Sequence, residues 1–219
     1  SEFQMNEDQM YELDIAAWLH DCGKVTTPEF VVDKATKLET IYNRIHEIRT
    51  RFEVVKRDAE IEHLKSVIEG QDSVASKRKL DERLSKLDDD FKFIAKCNLG
   101  SESMGAQSVE RIKSIAKIQW LRTLSDRIGI SYEEEKRSKR TPEPKLPSFE
   151  ALLSDRDEHI IHRDPIESTT SENPYGFKLD TPRYKYNLGE IYNLCIDRGT
   201  LTTEERFKIN DHIVQTIIM

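Results

Sequence analysis

No stretch of the 219-residue chain is apolar for long enough to span a membrane, and no signal peptide opens it. Cysteine is scarce. Cys22, Cys97 and Cys195 are far apart and odd in number, and no Cys-x-x-Cys pair occurs, so reduced thiols in a cytoplasmic protein are expected. A basic excess is missing too. With 34 Lys and Arg against 41 Asp and Glu, the net charge of −7 gives no support for DNA or RNA binding. The same charge opposes an anionic nucleotide unless a site gathers its own cations. What the chain does hold is charge in quantity: 34% charged against 37% hydrophobic residues, more than a compact globule carries. Part of it is expected to be extended, solvated helix.

The apolar pattern divides the chain. Residues 9 to 21 read as one buried helix, ended by Gly23 and Pro28. Residues 38 to 69 read as a long helix whose Ile41, Ile45, Ile48, Phe52, Val55 and Ala59 alternate spacings of four and three, a coiled-coil seam. After the polar turn Gly70-Gln71-Asp72-Ser73, the series Leu80, Leu84, Leu87, Phe91 and Ile94 repeats the alternation, which predicts an antiparallel helical hairpin. A third helix is predicted from Val109 to Ile128, stopped by Gly129. Glu133 to Lys145 is charged and holds Pro142 and Pro144, so it reads as a linker. Residues 146 to 187 hold four prolines and read as irregular, with room for a short hairpin and for a helical turn or two at Glu150 to Leu153. A helix near Leu188 to Asp197 precedes Gly199. Thr202 or Thr203 then caps a last helix with Glu204 and Glu205 in its first turn and a stripe of Ile209, Ile213, Val214 and Ile217.

The chemistry gathers at Ala16-Ala17-Trp18-Leu19-His20-Asp21-Cys22-Gly23-Lys24. An imidazole and a carboxylate side by side suit a divalent metal, and the cation three residues on suits a phosphate. Cys22, between Asp21 and Gly23, is expected as a small filler rather than a ligand. His212, beside the stripe of the last helix, can point inward. His46 and His63 read as ordinary helix-face histidines. His159 and His162, three apart, lie in a context that reads as loop rather than as a metal-binding helix face.

The string from Ala16 to Lys34, with Thr27-Pro28-Glu29-Phe30-Val31-Val32, resembles the HD superfamily of metal-dependent phosphohydrolases. Arg198-Gly199-Thr200-Leu201-Thr202-Thr203-Glu204-Glu205, running on to His212, resembles a second segment of the same family and, with Lys34 to Leu38, of its HD-GYP branch of cyclic-di-GMP phosphodiesterases. The resemblance implies His20, Asp21 and His212 as metal ligands, Asp21 and Lys24 as catalytic groups, two divalent ions (iron, manganese or zinc) and a cyclic dinucleotide substrate. It also implies a further His before the His-Asp pair, a His-His pair and a GYP motif, none of which the sequence holds. Lys34-Ala35-Thr36-Lys37-Leu38-Glu39 and the Gly199 turn look like one family element met twice, as if the stretch between were inserted.

The expected architecture is therefore all-α: a partial HD core at 1–37 and 188–219, an inserted helical arm at 38–130, and a linker with an irregular, proline-rich segment at 131–187. The apolar ending Ile217-Ile218-Met219 and the Ser1-Glu2-Phe3 start lead us to expect a piece of a larger protein. The seams of the arm bury its two helices against each other, or leave area for a protein partner or a second copy. A catalytically degenerate signalling module is the alternative to an enzyme.

Overall fold

The computed structural model describes residues 5–100, 103–164 and 180–218. Three expectations therefore lie outside the described residues: those for Ser1 to Phe3, for Pro165 and Pro174 with the Asn173-to-Gly176 turn, and for Met219. The fold is mostly α-helical, with two small antiparallel sheets in place of the all-α architecture expected. No helix among the described residues is long and apolar enough to cross a membrane.

Helix α1 spans Glu7–Leu19. A capping box starts it: Asn6 Oδ1 accepts from Gln9 N at 2.8 Å, and Gln9 Oε1 accepts from Asn6 N at 3.0 Å. The expectation that this helix is buried is overturned. None of its residues is buried, and Trp18 is 86% exposed. Local capping starts the helix, but no other described element covers its apolar side chains. A 3-10 turn at Cys22–Thr26 and the short helix α2, Glu29–Val32, follow.

Helices α3 (Ile45–Ile68) and α4 (Ser73–Asn98) form the predicted hairpin. Gly70 turns the chain at φ +84°, a value that glycine adopts without a steric cost, and Asp72 caps α4 by accepting from Val74 N at 2.9 Å. Ile48, Phe52, Val55 and Ala59 are buried on one helix and Leu80, Leu87 and Ile94 on the other. Phe52 meets Phe91 edge-on, with ring centroids 5.4 Å apart. The seam starts later than expected. Residues 38–44 form a turn instead of helix, which leaves Ile41 92% exposed. Towards the tip, Leu64, Ile68 and Val74 are exposed.

The root of the hairpin is the core of the chain. Leu38, Ile45, Ile48, Phe52, Val55, Leu87 and Ile94 form one buried cluster with Ile112, Ile115 and Ala116, Leu152, Leu153 and Leu194. Residues expected in the arm and residues expected after it thus share a single apolar interior.

The third helix, α5, stops at Ala106–Ala116. Trp120 instead lies in β1 (Gln119–Arg122), paired antiparallel with β2 (Ser148–Ala151), and Leu124 and Ile128 are exposed. The helix expected to reach Ile128 yields to this pairing because Lys117 and Ile118 leave the helical path to bring Trp120 opposite Glu150. The expected linker is also corrected in part: Tyr132–Ser138 forms helix α6, started by a capping box between Ser131 and Glu134. Strands β3 (Ile160–His162) and β4 (Tyr184–Asn187) pair antiparallel, so His162 lies on a strand. Helix α7 covers only Glu190–Leu194, and α8 covers Thr203–Ile218.

Candidate functional site

Helix α1 ends at Leu19, and the chain folds at once into the 3-10 turn against α8. That packing needs Gly23. Its N–H donates to Thr216 Oγ1 at 2.9 Å, and a Cβ there would lie 2.6 Å from Thr216 N and overlap the His212 carbonyl. The face of α8 laid on the turn therefore carries His212 and Thr216, one helical turn apart. Ile213 and Ile217, expected in the buried stripe, are instead about half exposed; Phe207 and Val214 are the buried apolar residues.

This packing brings together residues from opposite ends of the sequence. His20 Nε2 lies 3.2 Å from Asp21 Oδ2, and His212 Nε2 lies 3.8 Å from Asp21 Oδ1. Each imidazole is oriented by its other nitrogen: His20 Nδ1 meets Ala17 O at 2.6 Å, and His212 Nδ1 meets Ile209 O. In the tautomer that donates Nδ1–H to the carbonyl, Nε2 of each ring is left free to bind a metal. That is the tautomer metal-binding histidines use. Lys24 Nζ also reaches Asp21 Oδ2, at 2.6 Å. This contact, more than the two neighbouring imidazoles, holds the Asp21 carboxyl below the ordinary carboxylate range, against a smaller desolvation effect.

All four predicted site residues, His20, Asp21, Lys24 and His212, thus meet in one place. The histidines face different oxygens of Asp21. Among the described residues, no group of three or more His, Cys, Asp or Glu is disposed to hold a metal ion as it stands. Imidazole and carboxylate are nevertheless donor types that suit a divalent metal. The other histidines stay apart from it. His46 meets Arg49 Nη1 at 2.8 Å, His63 meets Ser76 Oγ at 2.7 Å, and His159 Nδ1 accepts from Arg156 N at 3.2 Å. Cys22 is half-buried and free.

A buried clasp holds the two halves together behind this site. Lys34 Nζ donates to both oxygens of Glu205 at 2.9 Å and to Asn193 Oδ1 at 3.3 Å. Glu205 also completes a capping box for α8: Glu205 N donates to Thr202 Oγ1 at 3.2 Å, and Thr202 N donates to Glu205 Oε2 at 2.8 Å. Lys37 Nζ donates to the carbonyls of Leu194 and Ile196 at 3.1 and 2.7 Å. The two look-alike turns noticed in the sequence are therefore pressed together, with Thr200 Oγ1 donating to Lys34 O at 3.1 Å. Sequence reading missed this role of Lys34 and Glu205. The repeated turn itself was the signal that pointed to it.

A family model described as HD domain matches residues 143–219. An HD-domain region is present there. It includes Glu205, α8 and His212 and stops short of the His20-Asp21 pair. No curated protein and no solved structure matches the chain.

Proposed function

We propose that the chain carries part of the active site of an HD-type, metal-dependent phosphohydrolase. The observation that carries this reading is the approach of His212 Nε2 to Asp21 Oδ1 at 3.8 Å, with His20 Nε2 at 3.2 Å from the other oxygen. The HD-domain match at residues 143–219 supports it from the α8 side.

In this reading His20, Asp21 and His212 would hold divalent metal (iron, manganese or zinc), two ions in all with Asp21 shared between them as the HD resemblance implies. Bound metal would supply Lewis acidity and a hydroxide near neutral pH. Two ions need more donors than these three, so the reading includes ligands from outside this set. Asp21 holds Lys24 at the site at 2.6 Å, where its ammonium would face the charge of a bound phosphate. The resemblance of the Gly199-to-Glu205 turn to the HD-GYP branch supports a cyclic dinucleotide such as cyclic di-GMP as substrate, in a cytoplasmic protein. The domain division follows the same logic: an HD core at 1–37 and 188–219, interrupted by a helical arm at 38–130 and a connecting segment at 131–187. The arm is a candidate surface for a protein partner or a second copy.

A second reading has its own support. Asp21 is already engaged by Lys24 at 2.6 Å, and the three donors do not converge on one point. This favours a degenerate HD module that signals through protein contacts. Titration with Mn2+ under anaerobic conditions, followed calorimetrically, tests the choice. Saturable binding that Asp21→Ala and His212→Ala each remove supports the metal centre, and hydrolysis of cyclic di-GMP by the metal-loaded protein would establish the substrate. Failure to bind metal would leave the degenerate module.

A further inference from the structure

A cavity of about 410 Å³ opens where the N-terminal end of α3 meets α6 and the loop before β3. None of His20, Asp21, Lys24 or His212 lines it. Three of the arginines that line it, Arg44, Arg127 and Arg137, share an unusual condition: among the described residues none has a carboxylate within ion-pair distance. Their guanidinium groups are held by neutral acceptors. Arg44 donates to Leu38 O and Leu188 O at 3.1 and 2.6 Å, Arg127 to Thr141 O at 2.9 Å, and Arg137 to Glu158 O at 3.1 Å. Arg44 Nη2 is buried without any acceptor.

The carboxylates of the same cavity are all engaged, two of them by Arg51, which also lines it. Glu190 accepts from Arg51 at 2.8 and 3.0 Å and from Ser154 N at 2.9 Å. Glu47 lies 3.5 Å from Arg51 as an ion pair. Asp126 pairs with Arg122 and Arg156, Glu158 accepts from Arg156 and Thr141, and Glu134 accepts from Ser131 N. Each negative group has its donor. Three positive groups are held by neutral acceptors with no carboxylate in ion-pair contact, and the buried Nη2 of Arg44 is left without an acceptor. A buried donor without an acceptor is costly, and an arginine fork matches the oxygens of a phosphate or carboxylate. His159 adds a donor. Its Nδ1 accepts from Arg156 N, which leaves the ring proton on Nε2.

We propose that this cavity binds an oxyanion-bearing small molecule, a phosphorylated or carboxylated metabolite, held by Arg44, Arg127 and Arg137. The site is separate from the candidate metal centre. Because Arg44 ties the Leu38 carbonyl to the Leu188 carbonyl, the anion sits where the chain leaves the His-Asp half and where it returns towards α8.

The test uses the metal-free chain at fixed ionic strength, with pyrophosphate as the phosphate probe and citrate as the carboxylate probe, followed by isothermal titration calorimetry. Saturable binding of at least one probe is expected, and the tighter probe assigns the chemistry. Arg127→Gln and Arg137→Gln should each weaken that binding about tenfold, the effect of losing one charge-assisted hydrogen bond. Arg127→Lys keeps the charge and loses the fork, so it should fall between wild type and Arg127→Gln. Absence of saturable binding by both probes overturns the proposal. So does undiminished binding in folded Arg127→Gln and Arg137→Gln variants, or loss of binding in Lys24→Gln, which would move the anion to the metal centre.

Discussion

Lys34 Nζ donates to both carboxylate oxygens of Glu205 at 2.9 Å, and both side chains are almost fully buried. Burial pushes the Lys34 ammonium below its ordinary pKa, and Glu205 opposes the shift. Removing one partner leaves the other charge buried and unpaired. Lys34→Ala is therefore expected to cost about 3–5 kcal/mol in urea denaturation. Pairing it with Glu205→Gln should recover part of that loss. Equal stability of Lys34→Ala and wild type would show that the clasp does not hold the two halves together.

Gly23 sets how closely the His-Asp turn approaches α8. A methyl group there would crowd the His212 carbonyl and Thr216. Gly23→Ala is expected to destabilise by about 1–3 kcal/mol, as overpacking does, and to move His212 away from Asp21. The chemical shift of the His212 ring, followed by NMR, checks the second effect separately from the first.

Asp21 faces both imidazoles of the candidate centre, so its loss should outweigh the loss of either histidine. Under the metal-binding reading, Asp21→Ala is expected to weaken Mn2+ binding more than about 100-fold, beyond the range of an outer-shell change. His46→Ala and His63→Ala, at exposed or hairpin positions, should leave it unchanged. A Mn2+ affinity that drops in the His63 variant would relocate the metal to the hairpin.

Burial holds the His159 imidazole below its ordinary pKa of 6.5, with Arg44 and Arg156 adding to the effect and Glu190 opposing it. The unfolded chain therefore takes up this proton at a higher pH than the folded one. The stability linked to His159 is complete above about pH 6.5 and declines as the pH falls below it. Urea midpoints measured between pH 7.5 and 5 should fall more steeply for wild type than for His159→Gln. Parallel profiles would contradict the buried, neutral imidazole.

Leu80 and Leu87 stand two turns apart on α4, both buried, yet only Leu87 belongs to the cluster shared with Leu152 and Leu194. Leu87→Ala should lower global stability by about 2–5 kcal/mol. Leu80→Asp should instead speed amide exchange near the hairpin tip while the root stays protected. Uniform exchange along α4 in the Leu80 variant would mean that the hairpin unfolds as one unit.

Some of this was legible in the sequence because it is contained within a few residues. The alternating spacing of Ile48, Phe52, Val55 and Ala59 against Leu80, Leu87 and Ile94, with a glycine turn between, prescribes a hairpin wherever it occurs. The Thr202-Glu205 pair prescribes the start of α8 in the same way, and the HD resemblance picked out the four residues that meet at the site. Other features depended on partners far along the chain. Trp120 left its helix for a strand because Glu150 came opposite it, which no local period announces. Helix α1 is apolar enough to be read as buried, but no described element packs on it, and burial is a property of neighbours rather than of composition. Lys34 and Glu205, and the three arginines without carboxylates, are ordinary charged residues until the tertiary structure removes water from around them. By itself the sequence determined the local elements and the chemical types at the site. The tertiary structure decided which charges are buried, which are paired and how near His212 comes to Asp21, because desolvation and long-range approach arise only once the chain has folded.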